Sequence, residues 1–443
     1  MPSPTSIPTG RIARGFSLIE LMIAVLLGIL ISIGLVTLFG ATNKTNRVQD
    51  AMARMQENGR YAVSRLNADL RMATRQPMGT GGWMSGPVGT NGAVNIAIAP
   101  HVYVTSIPFP DGAVAADAAW TNTNWWALSP VNFFKGFDCS TDPCSPTVPT
   151  LIPAMGTNVG DRVKGADVLL VRYLNTEGWS NAHGEVNTVC NLPFMTKLTL
   201  SPITSGLYPS PTSNFQTDDL ALLASPGYTE IFQVDVAGNT LTPKNVLGGG
   251  SVPCIPSSAP IQVSLYNFSR DFVTAIYWLK VVDDTNHPGH KITALMRTPG
   301  DNTTTVGGAQ ELVRGVEGMK FRYGMQYANG NVAYLTASQV NAQSTATNCA
   351  PPPIEFQTAA GNIPAANEFE AGCLWRTVKS VEADILVNSV DDMDLAPADM
   401  AYQFNGSGID VPPTTGNMPS GLPPGKVLRR EFVSLVSVRN YNP

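Results

Sequence analysis

Few side chains in the 443-residue sequence have the types and spacing that catalysis needs. Its four histidines are His101, His183, His287 and His290. His287-Pro288-Gly289-His290 sets two imidazoles about a proline–glycine turn, which suits half of a metal site or, more simply, an exposed turn. HExxH, GxSxG, GxxxxGK[ST] and a GxGxxG following a strand are all absent. Asp391-Asp392-Met393-Asp394 and Asp283-Asp284-Thr285-Asn286 gather oxygens as calcium sites do, yet lack the DxDxDG spacing and read as solvated turns. The expectation is a non-enzyme with no catalytic residue, no metal and no cofactor. Trp120, Trp125 and Trp126 lie in a Thr/Asn-rich segment, where aromatic rings either contact a partner or form the loop's own small core.

Six cysteines, Cys139, Cys144, Cys190, Cys254, Cys349 and Cys373, lie outside the apolar N-terminal region. An even number suits disulfides in an oxidising compartment, and about fifteen connectivities are open. Nearest neighbours in sequence give 139–144, 190–254 and 349–373; free buried thiols are the alternative. Zinc is disfavoured because no CxxC pair occurs and no histidine is close to a cysteine.

One charge stands out. Glu20 is the only ionisable side chain in Phe16–Phe39, FSLIELMIAVLLGILISIGLVTLF, a run that would span about 36 Å as a helix and so cross a bilayer core. A carboxylate there needs a partner or a purpose. The run is too long for a cleaved secretory peptide, and Arg11, Arg14, Lys44 and Arg47 flank both ends, so charge does not decide orientation. Beyond it, Val48, Met52, Met55, Gly59, Ala62, Leu66, Leu70 and Ala73 recur at spacings of three and four, the stripe of an amphipathic helix. With no proline between Pro8 and Pro77, one helix is expected from Phe16 to about Arg75.

After Pro77 the pattern changes. Strand signals occur at 166–173, 195–200, 219–224, 229–236, 272–282, 291–297, 315–325, 378–388 and 430–439, and helical periodicity is almost absent apart from a turn near 374–380. Long loops are expected at 77–165, 337–373 and 395–425. In Met319-Lys320-Phe321-Arg322-Tyr323 apolar and cationic residues alternate, as in a half-buried strand. Charged residues are only 14% of the chain, the hydrophobic fraction is 43% and the net charge is −5, which exclude a disordered chain and a generally basic nucleic-acid binder. The fold class expected is α+β: a long N-terminal helix on a large, mostly antiparallel β-rich head.

Gly15-Phe16-Ser17-Leu18-Ile19-Glu20-Leu21 resembles the type IV prepilin signature. ENGRYAVSRLNADLR (57–71), GADVLLVRYL (165–174), ELVRGVEGMKFRYG (311–324), WRTVKSVEADILVNS (375–389) and RREFVSLVSVRN (429–440) resemble the PilW family of minor pilins. The resemblance implies a type IV pilin-like fold and a leader, 1–15, that prepilin peptidase removes between Gly15 and Phe16 before methylating the Phe16 amine. Residues 16–39 would then be the transmembrane half of the helix, 40–76 its periplasmic half and 77–443 the head. It also implies that Glu20 neutralises the Phe16 amine of a neighbouring subunit. The implied partners are other minor pilins, the major pilin and a PilY-type tip adhesin, reached from the inner membrane. A J-type pseudopilin of a type II secretion system shares these features, and a membrane-tethered periplasmic binding protein or hydrolase is the alternative of another class.

Overall fold

The computed structural model describes residues 17–73, 101–104, 107–108, 114–115, 126–127, 134–175, 184–191, 194–202, 215–225, 228–244, 252, 263–284, 289–301, 309–326, 331–342, 375, 378–393, 395–409, 413–418 and 420–438. They fall into two compact units, one up to Arg54 and one from Met55 onward. A single helix, Leu18–Met72, contributes to both. It stops just short of the expected Arg75, with Ala73 N donating to Leu70 O in the last turn.

From Leu21 to Phe39 the helix is apolar on every side, and Leu18 to Phe39 leave their large hydrophobic side chains exposed. Its few hydroxyls donate to the helix's own carbonyls: Ser32 to Gly28 O at 2.7 Å, Thr37 to Gly34 O at 2.8 Å and Thr42 to Leu38 O at 2.9 Å. These hydroxyls therefore need no water. In the second unit the periodic stripe turns inward. Met55, Gly59, Ala62, Leu66, Asp69 and Leu70 are buried, whereas Val48 is half-buried and Met52 exposed, so burial begins later than the periodicity predicts.

The head is built from mostly antiparallel sheets. At the centre of a seven-stranded sheet, Phe272–Asp283 pairs with Lys291–Asp301 on one side and Val168–Leu174 on the other. A four-stranded sheet runs Val332–Leu335, Val316–Gln326, Val378–Asn388, Arg429–Ser437. Leu66 and Leu70 share one core with Leu169 and Tyr277 of the first sheet and with Ala383 and Ile385 of the second. The chain passes between the two sheets at Gly315, whose φ of +84° favours glycine and whose N–H and C=O are bonded to Thr293 O and Asn388 N. Gly59 is a second position where only glycine fits: a Cβ there would stand 2.3 Å from the Phe432 ring. An eight-stranded sheet, with Leu220–Ser225 and Tyr228–Ala237 near its centre, has cores of its own.

The structure corrects several local readings. The expected 77–165 loop contains the strand Phe134–Phe137, the short strands Met155–Gly156 and Arg162–Val163, and the start of the ordered segment that leads to Val168–Leu174. The 337–373 loop opens with a helix, Ala337–Ala342, and the 395–425 loop holds the hairpin Tyr402–Phe404/Ser407–Ile409. The strand expected at 378–388 is present, with Val378, Val381 and Ala383 in the core, and Trp375 just before it lies in a 3-10 turn. The alternation at 319–323 is present: Met319, Phe321 and Tyr323 are buried and Arg322 is exposed.

Candidate functional site

The N-terminal end of the helix is closed by its own side chains. Ser17 Oγ accepts from Ile19 N at 3.2 Å, and Glu20 Oε2 accepts from Ser17 N at 3.1 Å. This reciprocal Ser-x-x-Glu arrangement satisfies N–H groups that the first turn cannot bond internally. Glu20 also places a negative charge near the positive end of the helix dipole. Its carboxylate remains exposed on an otherwise apolar surface. Gly15 and Phe16 lie outside the described residues.

The second half of the helix is held to the head through a buried carboxylate that the sequence reading passed over. Asp69 Oδ2 accepts from Arg297 Nε at 2.7 Å and from the Tyr277 hydroxyl at 2.7 Å, while Oδ1 accepts from the Tyr173 hydroxyl at 3.1 Å. Arg297 Nη2 also reaches the Tyr173 oxygen at 3.5 Å, and the Tyr277 hydroxyl lies 3.3 Å from Arg65 O. Burial, then the Asp69 charge, pushes the Tyr173 phenol up to about 12 and Tyr277 higher still, so both stay protonated donors. Burial works against the Arg297 charge, but Asp69 outweighs it and the guanidinium is raised overall. A signal existed: Asp69 lies three residues after Leu66 and four before Ala73, on the apolar stripe itself.

Several of the remaining candidates make local contacts. Cys139 and Cys144 form a disulfide with Cα atoms 4.2 Å apart. Their loop is tied down by Asp167, whose carboxylate accepts from Cys139 N at 3.0 Å, Lys320 Nζ at 2.8 Å and Phe321 N at 3.2 Å. Burial holds the Asp167 carboxyl above its usual range against the pull of Lys320. Cys190 is also disulfide-bonded, whereas Cys254, Cys349 and Cys373 lie outside the described residues. So do Trp120 and Trp125; Trp126 sits in a short strand paired with His101–Val102. His290 Nδ1 is 3.7 Å from the buried Asp284, and Asp392 Oδ1 accepts from Lys426 N, contacts that close turns. Among the described residues, no three His, Cys, Asp or Glu side chains cluster as metal ligands would.

A long helix, unburied and apolar at its start, followed by mostly antiparallel sheets, places the chain in the α+β class with a long N-terminal helix. Residues 276–440 match the PilW family model, described as type IV pilus-assembly protein W. That match supports the PilW resemblance over a little more than a third of the chain, from inside the central Phe272–Asp283 strand to past the last one. Three of the motifs, at 311–324, 375–389 and 429–440, lie within it; those at 57–71 and 165–174 precede it. No curated protein and no solved structure matches the chain.

Proposed function

We propose that this protein is a minor pilin, a non-catalytic subunit that helps to initiate type IV pilus assembly near the filament tip. The family match implies involvement in pilus assembly. The observation that carries the finer reading is the first half of the helix, whose most apolar window has a mean hydropathy of 2.8 and none of its residues buried within the chain. Such a surface calls for lipid or for the helices of other subunits. The inner membrane would hold it first, with the head in the periplasm, and the filament core afterwards. In this reading prepilin peptidase cuts between Gly15 and Phe16 and methylates Phe16, and other minor pilins, the major pilin and a PilY-type adhesin are the partners.

The N-terminal mass after co-expression with a prepilin peptidase tests the class. A mature chain beginning at N-methyl-Phe16 is expected; a chain that keeps residues 11–15 removes the filament-subunit reading. A second result concerns Glu20. Once cleavage creates a positive amine at Phe16, an apolar filament core leaves that charge unpaired unless a neighbour's Glu20 meets it. Glu20→Ala is therefore expected to leave cleavage intact and to lower the amount of protein in sheared filaments at least tenfold. Wild-type incorporation of the variant would remove the charge-pairing role. Co-purification with pilus rather than secretion-system subunits separates the minor pilin from a pseudopilin.

A further inference from the structure

Where the second half of the helix runs beside Arg429–Ser437, a groove of about 600 Å³ lies open. Arg60 and Arg71 line it from the helix and Arg430 from the strand, while Val63, Phe432 and Val433 supply apolar surface. All three arginines are exposed, and among the described residues no carboxylate lies within ion-pair distance of any of them. Arg430 lies over the Phe432 ring, 5.8 Å from its centroid. Glu431, the groove's one acid, is already engaged by Asn405 N. This is a concentrated positive site on a chain whose net charge is −5.

Arg429–Ser437 ends the four-stranded sheet, so among the described residues its outer edge has no partner strand and offers N–H and C=O groups for pairing. Edge strands are usually guarded by charged side chains, proline or a bulge. Here the charges are confined to Arg429–Glu431, the FVSLVS that follows carries neither charge nor proline, the pairing with Val378–Asn388 is continuous, and Val433 and Leu435 are 60% and 61% exposed. An unguarded edge with apolar side chains is a template for another strand.

We propose that this groove docks an extended, acidic segment of a partner polypeptide, which adds to Arg429–Ser437 as a fifth strand and sets its carboxylates against Arg60, Arg71 and Arg430. A phosphate or a lipid headgroup would use the arginines but neither the strand edge nor the apolar floor. The proposal stands whether or not the chain enters a filament.

The test is fluorescence anisotropy on the full chain in non-ionic detergent. The probe is a labelled peptide, Glu-Val-Thr-Val-Glu-Val-Glu, used alongside its lysine-for-glutamate twin and a form N-methylated at alternate amides. The acidic peptide is expected to bind, while the twin and the N-methylated form bind at least tenfold more weakly. The exposed double substitution Arg60→Glu/Arg71→Glu should weaken binding at least tenfold with an unchanged melting temperature. Absence of binding, or binding indifferent to N-methylation or to the arginine substitutions, overturns the proposal. Complete displacement by inorganic phosphate assigns the groove to small anions, displacement by phosphatidylglycerol micelles assigns it to lipid, and either result overturns it too.

Discussion

Asp69→Ala is expected to lower the head's stability by about 3–5 kcal/mol, the usual consequence of removing one partner from a buried ion pair. The reason lies in what remains behind. Arg297 has only 6% of its side chain exposed, and without Asp69 its charge would face two phenols that need their protons. Tyr173 would lose its acceptor at the same time, and Tyr277 would keep only the longer bond to Arg65 O. The loss falls on the joint between helix and sheet, because Asp69 is the helix residue that both tyrosines and the arginine address. Chemical denaturation of the full chain in detergent, followed by near-ultraviolet circular dichroism, measures it. The double variant Asp69→Ala/Arg297→Met should recover a substantial part of the loss, since both charges then leave together. A single-variant loss under about 1 kcal/mol would show that the cluster does not hold the helix.

How far the sequence reveals this arrangement depends on the distance between interacting residues. The Ser17–Glu20 closure and the apolar run are local, so composition and spacing display them. Strands such as Val168–Leu174 and Phe272–Asp283 are buried on both faces and read as continuous apolar runs. Phe134–Phe137 escapes because a four-residue FKGF has no period to detect, and its partner Val168–Leu174 supplies the pairing. Gln310–Arg314 escapes for a different reason. It is an edge strand with a polar start, and its register with Lys291–Asp301 shifts at Leu295/Met296. Asp69 is the plainest case. Its partners lie 104, 208 and 228 residues away, and only the folded sheet brings Tyr173, Tyr277 and Arg297 to one carboxylate. The Gly59–Phe432 contact has the same character: the sequence shows a glycine on a helical stripe, and the structure shows the ring that requires it.

Glu230 carries the second large effect, in the opposite direction. It lies on Tyr228–Ala237 opposite Leu223 and beside Phe232, 1% exposed, and among the described residues its Oε2 has no hydrogen-bond partner. Burial pushes its carboxyl up to about 8; burial, and then the charge Glu230 would carry, raises the nearby Tyr103 phenol. A carboxyl of ordinary acidity in the unfolded chain thus holds its proton more tightly when folded. The favourable contribution is complete below about pH 4, the unfolded value, and is lost progressively as pH rises toward 8. The slope is on the order of 1 kcal/mol per pH unit for a single group. Asp384, raised to about 6 by burial and by Glu382 and Glu431 against the pull of Arg322, adds loss of the same sign at lower pH. Glu230→Gln leaves Asp384 in place, so the difference between variant and wild type reports Glu230. Glu230→Gln cannot ionise, so its melting temperature should match the wild type at pH 4 and exceed it by pH 8, with a stability gap of a few kcal/mol. A pH profile of the variant parallel to the wild type between pH 6 and 8 would show that this carboxyl does not titrate in the folded head.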